Sequence, residues 1–250
     1  MNDLFDLTDK VALVTGGSRG LGRELVKAFA QAGADVIISS RKKKACEELA
    51  AEVEQSTGRK AIPLSCHVGC WNQIDDLVDV AYKSFRRIDI LVNNAGISPI
   101  YRSLNDVSEN LYDKVLDVNL KGPFRLMVLI GSRMAADQGG SIINISSIAA
   151  IRPQAHVIPY SAGKAGLNAM TVGFAHALAP KVRVNCIMCG PFLTDISKAW
   201  NMASFKEQTK TFALRRGGEP HEIVGAALYF ASNASSFCTG AILRLDGGTP

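Results

Sequence analysis

The sequence lacks any uninterrupted apolar run approaching the roughly 18–20 residues of a membrane-crossing helix. Its longest candidate, FRLMVLIGSRM, is cut by Arg125 and Arg133. The opening stretch MNDLFDLTDK carries acids early and has no apolar segment of the kind a secretory signal needs. Both absences lead to the expectation of a cytoplasmic protein without a membrane span. Aromatic residues make up only 7%, and the net charge of +5 is mild, with RKKK (41–44) the one dense basic run. Nucleic-acid binding needs a broader basic stripe, usually with aromatics or a known motif, so no nucleic-acid partner is expected. No linker rich in Pro, Gly or Ser, no shift of composition and no internal repeat interrupts the chain, so residues 1–250 read as a single domain.

Cysteine is present but unorganised. Six are scattered along the chain, including CHVGC (66–70) and CIMC (186–189). A disulfide framework belongs to short secreted chains. Cys66 and Cys70 have no second Cys/His pair at ligand spacing to complete a tetrahedral zinc site. The CIMC pair sits in RVNCIMCG, which reads as a strand ending in a turn, not as the helix start that lowers a redox thiol's pKa. All six are expected to be reduced and structural, with no metal.

What is present is an alternation. Hydrophobic residues make up 47% and charged residues 20%, an ordinary balance for a sizeable core. Apolar runs of strand length (10–15, 35–40, 60–66, 89–93, 141–146, 182–188 and 241–247) are separated by amphipathic stretches. The runs are continuous Val/Ile/Leu rather than alternating, as in strands buried on both faces of a parallel sheet. The pattern predicts an α/β fold: a doubly wound, Rossmann-type, seven-stranded, mainly parallel sheet with helices on both faces. Residues from about 192 to 216 are the least regular and are expected to form a substrate lid.

TGGSRGLG (15–22) lies between the first strand and the first helix. Glycines there let the chain turn tightly and let a pyrophosphate approach the backbone, while the helix start supplies free N–H groups. The spacing, from Gly16, Gly20 and Gly22, departs from the commonest dinucleotide pattern. At the end of strand two stand Ser40 and Arg41, with no acid to meet a ribose 2′-hydroxyl. An arginine pairs with a 2′-phosphate that a carboxylate repels, and Arg19 is a second cation that can reach it. NADP(H) is favoured over NAD(H).

Taken in order, TGGSRGLG, NNAG (93–96), Asn119 in DVNLKG, Ser147 in NISSIAA and YSAGK (160–164) resemble the short-chain dehydrogenase/reductase family, and in particular its 3-oxoacyl-carrier-protein reductases. Ser147 follows Asn119 by twenty-eight residues and precedes Tyr160 by thirteen, as is usual there. Taken singly, Ser147 could end a strand, Asn119 could cap or kink a helix, Lys164 could be solvated and NNAG could be a plain turn; the ordered set is what carries the resemblance.

The resemblance implies that Tyr160 exchanges a proton with the substrate oxygen. Lys164, one turn along the helix, is then expected to lower the phenol's pKa. A drop of about three units corresponds to roughly 4 kcal/mol. Ser147 would hold the substrate oxygen, Lys164 would also hold the nicotinamide ribose, and Asn119 would hold a water relaying protons from Lys164. Implied cofactor residues are Gly16, Ser18, Arg19, Gly20, Leu21 and Gly22, then Ser40, Arg41, His67, Val68, Asn93, Ala95 and Gly96. Tyr160, Lys164, Pro191, Phe192 and Thr194 complete the set.

Two positions depart from the family pattern. His67 stands where an acid usually accepts a hydrogen bond from the adenine amine; a neutral imidazole accepts through one nitrogen and a charged one cannot, so adenine affinity is expected to weaken at low pH. Cys189 replaces a proline and is expected to loosen the loop beside the nicotinamide.

The implied activity is interconversion of a ketone and a secondary alcohol. Apolar side chains including Trp200 and Met202, with Arg102, Arg152 and His156 as polar anchors, suit a 3-oxoacyl thioester. A sugar or polyol, or a steroid-like or xenobiotic ketone, is the alternative. A protein of another class, a non-catalytic NADP(H) sensor, would be marked by loss of the Tyr or Lys, and both are present. A homo-oligomer, tetramer or dimer, is expected from the resemblance.

Overall fold

The structure, a computed structural model, describes residues 2–195, 197 and 200–250, the side chains of Asn2 and Asp3 excepted. Among the described residues seven strands form one sheet: β1 (Val11–Thr15), β2 (Asp35–Ser40), β3 (Ala61–Ser65), β4 (Ile90–Asn93), β5 (Gly140–Ser147), β6 (Val182–Cys189) and β7 (Ile242–Leu245). Their order is β3-β2-β1-β4-β5-β6-β7, and every pairing is parallel. The seven apolar runs in the sequence correspond to these strands within a residue or two at each end.

The alternation of side chains along a strand divides the core into two layers. Ala12 and Val14 of β1 face one side, with Leu25, Val26 and Phe29 of α1 (Gly20–Gln31). Val11 and Leu13 face the other, with Ile74, Leu77 and Val78 of α3 (Trp71–Phe85). The helix α2 (Lys43–Thr57) joins the first layer through Cys46, Leu49 and Val53, and ends on Gly58 at φ +68°. This double covering explains why β1, β4 and the centre of β2 are apolar runs, while Ser141, Asn144 and Asn185 of β5 and β6 are buried with hydrogen-bond partners.

Between β4 and β5 the chain runs as helix over 109–136. Three α segments, α4 (Glu109–Leu116), α5 (Gly122–Leu126) and α6 (Ser132–Ala136), alternate with two π turns, Asp117–Lys121 and Met127–Gly131. Ser108 caps the start by accepting from the Leu111 N–H at 3.2 Å. The helix α7 (Ile158–Ala177) begins with Pro159 in its first turn, where a missing N–H is harmless.

Strand order reverses direction between β1 and β4. At such a switch point the crossovers leave in opposite directions and open a crevice beyond the carboxyl ends of the strands. The glycine loop follows β1 and residues 94–97 follow β4, so both motifs meet there. The segment after β6 returns to the sheet through a parallel bridge between Phe192 and Gly218, with Leu193 N–H donating to Gly218 O at 2.8 Å. That loop carries α8 (Met202–Thr209). Ile196, Lys198 and Ala199, within the range expected to form a lid, lie outside the described residues. Among the described residues no helix is long and apolar enough to cross a membrane.

Candidate active site

A cavity of about 880 Å³ fills the crevice. One end lies beyond β2 and β3, the middle passes the glycine loop, and the other end lies between β5, α7 and the loop after β6.

The glycine loop is shaped by contacts that only glycine permits. Gly16 and Gly20 sit at φ +62° and +52°. A Cβ on Gly22 would stand 2.3 Å from the Gly16 carbonyl oxygen and 2.5 Å from Asn94 Nδ2. Gly22 therefore does not line the cavity; it lets α1 approach β1 closely. Gly22→Ala is expected to destabilise the fold by about 2 kcal/mol or more, as overpacking does, read from the denaturant midpoint. Among the described residues no side chain caps the start of α1, and no acid stands in its first turn. The first N–H groups of the helix are thus available to an anion on the cavity side, and this arrangement fits a pyrophosphate.

Two residues of these motifs that were not among the expected site residues, Thr15 and Asn94, hold this loop in place. Thr15 Oγ1 donates to Val92 O at 3.1 Å and accepts from the N–H groups of Asn94 (3.1 Å) and Ala95 (3.2 Å). Asn94 Nδ2 donates to Thr15 O at 2.9 Å and Gly16 O at 3.2 Å. The NNAG motif pointed at this position, but strand alternation decides which asparagine turns toward the loop. Asn93, read as a cofactor residue, is placed elsewhere: its side chain is buried and donates to Asn144 Oδ1 at 2.9 Å, and Asn144 donates in turn to Thr171 Oγ1. The neighbouring Ala95 and Gly96 do line the cavity.

At the β2 end, Ser18 Oγ donates to Ser40 Oγ at 2.9 Å, joining the glycine loop to the strand. Ser40, Arg41 and Lys42 line this end and none is acidic. Arg19 Nη1 lies 3.8 Å from Asp195 Oδ2, an exposed pair across the cavity mouth between the glycine loop and the segment after β6.

His67 and Val68 close the same end. Here the expected hydrogen-bond role of His67 is corrected: its Nδ1 already accepts from the Gly69 N–H at 3.1 Å, so it has no second ring acceptor to offer. Cys66 is buried nearby, and its thiol is pushed up to about 12 by burial. Cys70 is exposed at the N-cap of α3.

At the opposite end, Ser147 ends β5 while Tyr160 and Lys164 project from α7, and all three line the cavity. Ser147 Oγ accepts from the Ala149 N–H at 3.2 Å and stands close enough to the Tyr160 phenol to favour its ionised form. Burial outweighs that effect and pushes the phenol up to about 12. Lys164 is 4% exposed; its Nζ donates to Ile145 O at 2.8 Å and lies 5.8 Å from the Tyr160 ring centre. Burial brings the ammonium down to about 8. The phenol is therefore raised by burial rather than lowered by Lys164 as expected. Desolvation favours the neutral form of each group, and the ammonium is directed at a strand carbonyl.

Asn119 sits in the first π turn, fully buried, beside the cavity rather than in its wall. The widened turn lets its Nδ2 donate to Val115 O and Ile97 O, each at 2.9 Å, while its Oδ1 accepts from the Ile97 N–H at 3.4 Å. A Cβ on Gly96 would lie 3.0 Å from Asn119 Oδ1 and 3.5 Å from Lys164 Nζ, so glycine there preserves the space between them.

Pro191, Phe192 and Thr194 line the wall facing Tyr160. Cys189 does not loosen the strand end. It is buried and pairs with Ser147 on one side and Leu245 on the other, as a residue with a backbone N–H can and proline cannot.

The outer wall contains Ile100, Trp200, Phe205 and Phe212, with Trp200 and Phe205 rings 5.0 Å apart. Arg152 and His156 line it; Arg102 and Met202 do not. Arg152 Nη1 donates to the Thr249 carbonyl at 2.7 Å, which brings the chain's last residues to the cavity. Tyr101, in the loop ISPIYRSL after Gly96, is buried; its hydroxyl donates to Ala155 O at 2.7 Å and accepts from the Ile158 N–H at 3.0 Å. It thereby locks the loop after β4 onto the start of α7.

A family model described as short chain dehydrogenase matches residues 10–204. The chain belongs to this family. As a short-chain dehydrogenase it is an oxidoreductase of the class acting on CH–OH groups, and the Rossmann-type sheet is that of the solved members. Among curated relatives it is similar to dehydrogenase/reductase SDR family member 4 of Pongo abelii, 38% identical over 98% of this chain and 88% of that protein. It is also similar to the NAD-dependent glycerol dehydrogenase of Listeria innocua, 33% identical over 98% of this chain and 95% of that one. Among solved structures, the NADPH-dependent 3-quinuclidinone reductase from Rhodotorula rubra superposes with a TM-score of 0.94 at 30% identity, covering 99% of this chain and 94% of the other.

Proposed function

We propose that this short-chain dehydrogenase is an NADP(H)-dependent carbonyl reductase that interconverts a ketone and a secondary alcohol. One observation carries the reading: a phenol kept protonated by burial, with Ser147 beside it, faces the same cavity as an uncapped, glycine-rich helix start.

The glycine loop would hold the pyrophosphate, with Ala95 and Gly96 against the adjoining ribose. Ser40 and Arg41 would meet the 2′-phosphate, and Pro191, Phe192 and Thr194 the nicotinamide side. When bound, the nicotinamide cofactor supplies a hydride to the carbonyl carbon or takes one from the alcohol. The protein handles the oxygen. Ser147 Oγ–H donates to the carbonyl oxygen and holds it beside Tyr160, whose Oη–H transfers its proton to that oxygen as negative charge develops. Lys164, held by Ile145 O, stands behind the tyrosine where it can return a proton, and the gap at Gly96 supports a water relay toward Asn119. A phenol near 12 is protonated at neutral pH and is in the form that acts as the acid in ketone reduction.

One relative is named for NAD and another for NADPH, so the cofactor preference turns on the β2 end. Arg41 is exposed, and among the described residues its side chain makes no hydrogen bond or ion pair, so Arg41→Asp should fold normally. It is expected to raise KM for NADPH about tenfold or more while changing KM for NADH little. Steady-state kinetics with both cofactors check this.

The aromatic and aliphatic outer wall, with Arg152 and His156 at its rim, supports an apolar substrate bearing an anionic or polar handle. A 3-oxoacyl thioester is the leading candidate; cyclic ketones of the kind reduced by the quinuclidinone reductase, and polyols of the kind named for the glycerol dehydrogenase, are the alternatives. We take residues 1–250 as one catalytic domain with a lid at 192–216, working in the cytoplasm as a homo-oligomer; exposed Ile242 and Leu243 on the edge strand β7 support self-association. The test is NADPH oxidation over a panel of 3-oxoacyl thioesters, keto-sugars, diketones and cyclic ketones. Turnover with none of them, by protein that binds NADPH, would sink the reductase reading.

A further inference from the structure

The end of the cavity beyond β2 and β3 is remote from Tyr160. A dinucleotide whose redox ring lies at Tyr160 and whose pyrophosphate lies on the glycine loop must place its other nucleoside there. The residues lining that end are Ser40, Arg41, Lys42, Ala45, Cys66, His67 and Val68, and none is a carboxylate. The His67 ring is the one aromatic side chain among them, and its nitrogens can meet the edge of a nucleobase.

That ring is fixed by its own turn. Nδ1 accepts from the Gly69 N–H at 3.1 Å. A Cβ on residue 69 would lie 2.9 Å from His67 Cε1, so the ring rests directly on glycine. The His67 N–H donates to Gln73 Oε1 at 2.9 Å and its carbonyl accepts from the Cys70 N–H at 2.8 Å, which anchors the backbone on α3. Turning the ring over would set a C–H against the Gly69 N–H, so the hydrogen bond selects the orientation. A neutral imidazole has one donor and one acceptor nitrogen. With Nδ1 accepting, Nε2 carries the hydrogen; in the cation Nε2 carries one as well. In neither state does it accept.

Adenine presents an amino donor at its 6-position beside the N1 acceptor. Hypoxanthine presents the reverse, a 6-oxo acceptor beside N1–H. We propose that His67 reads the nucleobase as a hydrogen-bond donor, so that the site does not demand the 6-amino group and takes the 6-oxo dinucleotide as readily as the adenine one. This rests on the reading of the cavity as a nicotinamide dinucleotide site and adds its base selectivity.

The test is equilibrium binding, by calorimetry, of NADPH and of reduced nicotinamide hypoxanthine dinucleotide phosphate to the whole protein and to His67→Asp. The expected parent ratio of dissociation constants is within about threefold of one or favours the 6-oxo base. His67→Asp, which offers only acceptors, should move the ratio about tenfold or more toward adenine. A parent preference for adenine above about threefold, or a ratio the variant leaves unmoved, overturns the proposal. If neither dinucleotide binds the parent, the cofactor reading itself fails; tight binding of both with the wrong ratio removes only the base assignment. Should His67→Asp not fold, the ring-nitrogen NMR signals of the parent decide: a hydrogen on Nε2 with Nδ1 accepting supports the proposal, and the opposite tautomer overturns it.

Discussion

Replacing Tyr160 with phenylalanine is expected to lower ketone reduction about a thousandfold while changing NADPH affinity by less than about fivefold. General acid catalysis by a positioned side chain contributes roughly 10²–10⁴, and the phenol is the proton source placed beside Ser147. Phenylalanine keeps the ring in its half-buried seat, so the loss is chemical. Turnover and equilibrium NADPH binding, measured together, check this. Equal losses in both would make Tyr160 a packing residue and leave the proton to another group. The pH profile follows from the same geometry. Because burial holds the phenol near 12, reduction meets a protonated acid throughout the neutral range, while oxidation needs the ionised form and rises with pH.

Lys164→Met is expected to separate stability from activity. Lowering the buried ammonium from 10.5 to about 8 corresponds to roughly 3 kcal/mol against the charged form. The sign is set by proton uptake. Between about pH 8 and 10.5 the unfolded chain binds this proton and the folded chain does not, so the parent gains stability as pH rises through that window and carries the full penalty below it. Methionine removes the penalty but strands the Ile145 carbonyl, which offsets about 1–2 kcal/mol. The cofactor-free variant should therefore be more stable than the parent by about 1 kcal/mol near neutral pH. By pH 10.5 that advantage should be gone. Turnover should fall about a hundredfold or more, because Tyr160 loses its proton donor and the nicotinamide ribose its partner. Denaturant unfolding at both pH values and steady-state turnover provide the readings. A variant less stable than the parent near neutrality would show that the ammonium, with its strand hydrogen bond, is a net support of the fold. A gain of stability with loss of activity is what a functional site built at the expense of the fold would give.

The strands were legible because a parallel sheet covered on both faces needs uninterrupted apolar runs, and β1, β4 and the centre of β2 carry them. The glycine loop was legible because a tight turn into a helix start needs residues without side chains at fixed offsets. The positions of Ser147, Tyr160 and Lys164 were legible from the ordered motifs and their spacing. Less legible was anything resting on which way a side chain turns. Asn93 and Asn94 are neighbours of identical type, and only their alternation at the end of β4 sends one into the core beside Asn144 and the other to the glycine loop. Tyr101 carries no motif at all; it matters because folding brings Ala155 and Ile158 to its hydroxyl.

The sequence by itself thus determined the order of strands and helices, the phosphate loop, the residue types at the redox end and the lack of an acid after β2, because each depends on local pattern or covalent spacing. The tertiary structure alone decided the charge state and direction of those groups. Burial raises the Tyr160 phenol where a lowering was expected, the π turn directs Asn119 to backbone carbonyls, pairing on both sides holds Cys189 in the sheet, and the Gly69 N–H takes the acceptor nitrogen of His67. Desolvation and hydrogen-bond partnership arise between segments far apart in the chain or across a turn, and no one-dimensional pattern encodes which partner a polar atom will meet.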